Sequence, residues 1–154
     1  MTRPLKDGRM NQEPVLCSGI ILCERIIREE RTGKNSLIGC FNNFNVVAFP
    51  VATLPFFAMA MLTNFKGDFE SLETVLRVED SKLGHVLFST AGSVKLTRPV
   101  KLEGSEIIEV PFPISPFMIH APGVYYFIVL VNNEIIGKRP FHVTAITTGM
   151  PPIG

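Results

Sequence analysis

Apolar and polar residues alternate with period two along much of this chain, and the alternation is clearest where Leu72, Thr74, Leu76 and Val78 interleave with Ser71, Glu73, Val75, Arg77 and Glu79. Successive side chains of a strand point to opposite faces, so this segment is expected to be a strand with one dry and one wet face. Upstream, SGIILCERIIREE ends at RTGK and the apolar pattern resumes in NSLIGCF. Residues 20 to 30 would tolerate a helix, but a Gly-containing turn followed at once by a β-like run favours a hairpin, with Gly33 free to take positive φ. GHVLFSTAGSVKL reads as a strand with a bulge or bend at Gly92, and SEIIEVPFP as one that Pro111 and Pro113 terminate. VYYFIVLV is the most β-prone stretch, and through Asn132 and Asn133 it leads into EIIGKRPFHVTAI, a second hairpin with a two-residue turn. Pro140 marks an edge or bulge there. The only weak helical candidate is a turn near Asp68.

The sum is about eight short strands separated by turn signals, with no convincing amphipathic helix. This is the sequence form of a sandwich or small barrel, and the expectation is an all-β domain with an antiparallel β-sandwich architecture. No repeat or linker divides the chain, so one domain is expected over residues 15–147, with tails at 1–14 and 148–154.

Within VYYFIVLV, Tyr125, Phe127, Val129 and Val131 point one way and Val124, Tyr126, Ile128 and Leu130 the other, so both faces of one strand are apolar. Leaving such side chains in water forgoes roughly 1.5–3 kcal/mol each. A cover is expected on the outer face: either the proline-rich segment Phe44–Pro55 or a second copy of the chain. Whether residues 44–55 act as lid, interface or core filler is left open by the sequence.

Composition narrows the function classes. Lys and Arg number 15 against 14 for Asp and Glu, a formal net charge of +1, so there is no field to attract nucleic acid. Charged residues make up 19% and hydrophobic ones 46%, which points to apolar surface beyond the needs of one small core and hence to a protein partner or homo-oligomer. Asn35–Phe65 carries no charge, but Pro50 and Pro55 break the run, so two strands and a proline-rich loop are preferred to a membrane span. Cys17, Cys23 and Cys40 lack metal-like or redox spacing and read as free thiols. The opening MTRPLKDGRMNQEP has no apolar core behind its charges, and a cytoplasmic location is expected.

The first hairpin carries Cys23, Glu24, Arg28, Glu29, Gly33, Lys34, Leu37, Ile38, Gly39 and Phe41, and the closing one Pro122, Gly123, Tyr125, Gly137, Arg139, Pro140 and Phe141. In these two patterns the chain resembles an uncharacterised bacterial family of single-domain β-sandwich proteins. The resemblance spans residues 16 to 144 and implies an immunoglobulin-like or similar sandwich, and it brings no activity with it.

No arrangement of residues supports catalysis. His85, His120 and His142 have no ligand spacing, so no metal or other cofactor is expected. There is no G-x-S-x-G elbow, and Asp80 in EDSKLG reads as a turn former. RTGKNS lacks the earlier glycine and the helix that a phosphate loop needs. The expected contact residues are Arg28, Lys34, Lys138 and Arg139, a small basic patch if the two hairpins lie side by side, with Phe56, Phe57, Tyr125 and Tyr126 as apolar contacts. The expectation is a non-enzymatic interaction module, with a sugar- or lipid-binding domain as the alternative and a hydrolase with an unrecognised site third.

Overall fold

The computed structural model describes residues 16–64, 66–103 and 106–146; the expected tails lie outside them. The strands are β1 (Leu16–Arg28), β2 (Asn35–Phe41), β3 (Asn43–Val46), β4 (Val51–Ala52), β5 (Phe56–Thr63), β6 (Lys66–Asp80), β7 (Val86–Glu103), β8 (Ile108–Ile114), β9 (Met118–Ile119), β10 (Gly123–Val131) and β11 (Glu134–Ala145). Sheet A has the order β2-β1-β5-β8 and sheet B the order β3-β11-β10-β6-β7, while β4 and β9 pair separately. All pairings are antiparallel except β3 with β11. The Asp68 region, the one weak helical candidate, falls inside β6.

The two sheets close on one core. Leu22, Phe56, Ala58, Ala60 and Leu62 from sheet A meet Leu72, Leu76, Phe127, Val129 and Phe141 from sheet B, and the Phe56 and Phe127 rings touch edge to face at 6.0 Å between centroids. Edge-to-face contact matches the positive rim of one ring to the negative face of the other. Thr74, the buried polar member of the β6 stripe, spends its hydroxyl on the Gly92 carbonyl at 3.2 Å. That cross-strand bond occupies the place where a bulge was expected. The register of β6 with β7 slips instead between Phe69 and Ser71 and between Val78 and Glu79.

Both expected hairpin turns form. Gly33 has φ 69°, and Asn132 and Asn133 have φ 49° and 68°, the paired positive values that suit a two-residue turn to strand twist. Pro111 and Pro113 do not end a strand: both lie within β8, the last strand of sheet A. An edge strand tolerates proline because a missing N–H costs no ladder bond on its open side.

The outer face of β10 is covered from within its own sheet. Arg77 and Lys138 are register partners of Ile128, and Val75 and Ile135 of Leu130. Ile128 is 3% exposed and Leu130 8%. Long charged side chains lay their methylene stems over apolar neighbours and keep their heads in water. Lys138 does so visibly, its ammonium 4.0 Å from the centre of the Tyr126 ring, and Arg77 pairs with Glu79 at 3.2 Å. The proline-rich segment is not this cover: Phe44, Phe49 and Val51 pack against the main core.

Candidate interaction surfaces

The pattern of the closing hairpin forms the seam of the sandwich. β2 pairs with β1 only from Leu22 onward, so the first residues of β1 have an open side, and β11 runs beside it. A Cβ on Gly137 would lie 2.6 Å from the Cys17 Cβ, so only glycine permits this approach. Two residues on, the Arg139 guanidinium donates to the Ile20 carbonyl at 2.6 Å and to the Asn42 side-chain oxygen, joining β11 to β1 where the chain crosses from sheet A to sheet B. Burial draws the Arg139 pKa below its usual value. Phe141 completes the pattern in the aromatic core, 4.7 Å from Phe127.

Tyr125 serves the same end. Its hydroxyl donates to the Ala121 carbonyl four residues back at 2.6 Å, the tyrosine-corner bond that fixes a strand entry in sandwiches. Burial, then the charge of Asp80, raises its pKa, against the lowering effect of the Ala121 bond. In the first hairpin Gly39 has φ +68°, and an added Cβ would meet the Glu24 side chain at 2.8 Å. Cys23-Glu24 and Leu37-Ile38-Gly39 are therefore two sides of one packing contact.

These placements correct several expected contacts. Phe56 and Tyr125 are 4% and 5% exposed, held in the core by their strand parity. The basic patch divides. Arg28 and Lys34 flank the tip of the first hairpin, whereas Arg139 donates to the Ile20 carbonyl, eight residues back along β1 at the seam with β11. Tyr126 is half-buried beneath Lys138, and Phe57 is half-buried on the outer face of sheet A.

Phe57 belongs to a surface that no single stretch of sequence announces. Phe56 opposes Ile114 and, four residues on in each direction, Ala52 opposes Met118, so β4–β9 continues the β5–β8 ladder in unbroken register. Leu54 and Pro55 on one strand and Ser115 and Pro116 on the other break the pairing. Thr53 bridges the gap, its N–H donating to the Phe117 carbonyl at 3.0 Å and its hydroxyl accepting the Phe117 N–H at 3.2 Å. Core-facing parity passes from Phe112 and Ile114 to Phe117 and Ile119, leaving Pro113, Pro116 and Met118 outside. Leu54 at the break is 83% exposed and Met118 43%. With Phe57 and Pro111 these form an outward stripe without a charge between Pro111 and Met118.

Beyond Cys23, β1 has only β2 beside it, because its pairing with β5 ends at Phe57. Asn35, next to the hairpin tip, donates its side-chain amide to Glu109 of β8 at 3.0 Å. Glu109 is in one row with Met61 and Gly19, and Gly19 is nine residues before Arg28, the register partner of Asn35. A flat ribbon would hold the two groups about 30 Å apart along the strands. The hairpin therefore curls back across sheet A, and Met59 and Cys23, which face that side, are buried.

His85, His120 and His142 are all exposed, and among the described residues no cluster of His, Cys, Asp or Glu could hold a metal ion. Nor is any helix there long and apolar enough to cross a membrane. The concavities described are shallow, as at the seam, where Cys17, Gly19, Gly137 and Arg139 line an open depression of about 300 Å³.

The fold and its seam define a two-sheet sandwich closed by a glycine, an arginine and a tyrosine. Residues 18–144 match DUF6941, a family of unknown function, and the chain belongs to that family. A search of curated protein sequences found no match. Among solved structures, the alkylpurine DNA glycosylase AlkC of Pseudomonas fluorescens, bound to DNA containing an abasic site analog, is similar with a TM-score of 0.45 and 16% identity. The match covers 85% of this chain and 30% of that one, and carries no argument about function.

Proposed function

We propose that this chain is a non-enzymatic, cytoplasmic protein-interaction module that self-associates through the outward stripe of β4–β5 and β8–β9. The observation that supports it most is the register-matched row of Leu54, Phe57, Pro113, Pro116 and Met118, exposed or half-exposed and free of charge. An uncharged apolar face can meet its own copy about a two-fold axis without opposing like charges. Pro111 and Pro113 deprive the edge beside it of two N–H donors, so contact is through side chains on the face and not through an added strand. The outer face of β10 takes no part, because the chain already covers Ile128 and Leu130. A sugar or lipid site is less well supported, since ligand pockets enclose most of their ligand and the depressions described are open.

Sedimentation velocity over a wide concentration range tests the proposal, with wild type beside the Leu54→Glu/Met118→Glu variant. The expected result is a concentration-dependent dimer for wild type and a monomer with an unchanged circular dichroism spectrum for the variant. A wild type that stays monomeric throughout, or a variant that dimerises as well as wild type, refutes it.

A further inference from the structure

We propose that Cys23 and Cys40 form a reversible disulfide within the chain, made by exchange with a small disulfide such as oxidised glutathione. The two residues are direct register partners on β1 and β2, and both thiols are free. Counted from the bond between the Glu29 N–H and the Lys34 carbonyl, the same offset of the ladder is kept past Gly39, and the alternation assigns Cys23–Cys40, six rows on, to a hydrogen-bonded row. Cα atoms in such a row are about 5.5 Å apart, inside the 4.4–6.8 Å that disulfides span. The third thiol does not compete. Cys17 is six residues back along β1, about 20 Å, and is packed against Gly137.

The two partners differ in a way that orders the reaction. Cys40 is exposed and Cys23 fully buried beside it. Burial, and next to it the charge of Cys40, raises the Cys23 pKa, and Cys40 alone of the two is open to the reagent, so Cys40 attacks first. That thiolate attacks one sulfur of the oxidised glutathione and releases one glutathione thiolate. Cys23 then loses its proton to water and attacks the Cys40 sulfur, releasing the second glutathione. Two protein thiols lose two electrons and one disulfide is reduced to two thiols. Cβ atoms in a hydrogen-bonded row stand farther apart than an unstrained disulfide prefers, so the product is readily reduced. The link clamps β1 to β2 where Glu24 packs over Gly39, at the root of the ribbon that curls back to Glu109.

The test treats the full chain with oxidised glutathione and follows it by intact mass and non-reducing peptide mapping. Cleavage at Arg25, Arg28, Arg31 or Lys34 puts the two cysteines in different peptides. Wild type and Cys17→Ser are expected to lose about 2 Da, yield the linked peptide, and reopen in excess reduced glutathione. Cys23→Ala is expected to stop as a glutathione adduct on Cys40, and Cys40→Ser to remain unmodified at Cys23. A wild type that holds the adduct on Cys40, or joins two chains through Cys40, overturns the proposal, as does a linked product that excess reduced glutathione leaves intact.

Discussion

Substituting Gly137→Ala isolates the seam between the sheets. Gly137 lies in β11 beside a register shift, with φ outside the left-handed region, so alanine meets no conformational barrier. By propensity alone it would gain about 0.5–1 kcal/mol over glycine in a strand. Against this stands the new methyl, 2.6 Å from the Cys17 Cβ and 2.8 Å from its Sγ, where carbon atoms prefer about 3.5–4.0 Å. β1 must retreat by roughly 1 Å, which also stretches the Arg139–Ile20 hydrogen bond. Overpacking of this kind costs about 1–3 kcal/mol, leaving a net loss near 1–2 kcal/mol. At about 2–4 °C per kcal/mol for a domain of this size, thermal unfolding should fall by about 2–8 °C. The discriminating measurement is a double-mutant cycle in urea. Cys17→Ala keeps the offending Cβ and should rescue little, whereas in a Cys17→Gly background Gly137→Ala should be neutral or stabilising, a coupling of about 1–3 kcal/mol. An equal cost of Gly137→Ala in the wild-type and Cys17→Gly backgrounds would refute the steric account of the closing pattern.

Tyr125→Phe removes the hydroxyl bond to Ala121 and keeps the ring in the core; since Ala121 is exposed, water re-satisfies its carbonyl, and urea unfolding should show a loss of about 1 kcal/mol and not more than about 2. Tyr125→Glu should unfold the domain instead of merely dissociating it, visible as loss of the strand signal in circular dichroism. Stability should also fall on the alkaline side. Burial raises the pKa of Cys17, Cys23 and Tyr125, so the folded chain holds protons that the unfolded chain has released. The benefit is complete below the unfolded thiol value, about pH 8.5, and is lost as pH rises toward the folded values. Urea midpoints from pH 7 to 10 should decline from about pH 8.5 upward, and Cys17→Ala should flatten part of that slope; midpoints that rise across this range would contradict the burial of the three groups.

Period-two alternation made β6 and β10 legible, and glycine and asparagine chemistry made the turns at Gly33 and Asn132–Asn133 legible, because these signals are local. Strand length was less so. β1, β6, β7 and β11 run 13, 15, 18 and 12 residues, since a ribbon can extend past its sheet as long as one partner accompanies it. Pro111 and Pro113 carry the local mark of a terminator, and sequence does not reveal which side of a strand is open. The two-sided apolar pattern of β10 calls for a cover, for which the sequence offers residues 44–55 or a second copy, and does not point to the neighbouring strands. Lys138 and Arg77 are charged in sequence, yet in the sheet their stems do the covering. The contact residues suffered most, because Phe56 and Phe57 are adjacent and alike, and only their parity separates core from surface. The outward stripe depends on the β4–β9 ladder keeping the register of β5–β8 across two prolines, a long-range relation with no local mark.

The prolines of β8 would also limit how large the proposed assembly could grow. A rim able to accept another strand would present a fresh rim after each addition, the geometry of a fibre. With two of its donors missing, that rim resists extension, and in the proposed self-association molecules meeting flank to flank would use up their sticky side in the encounter, so that growth would end at a pair.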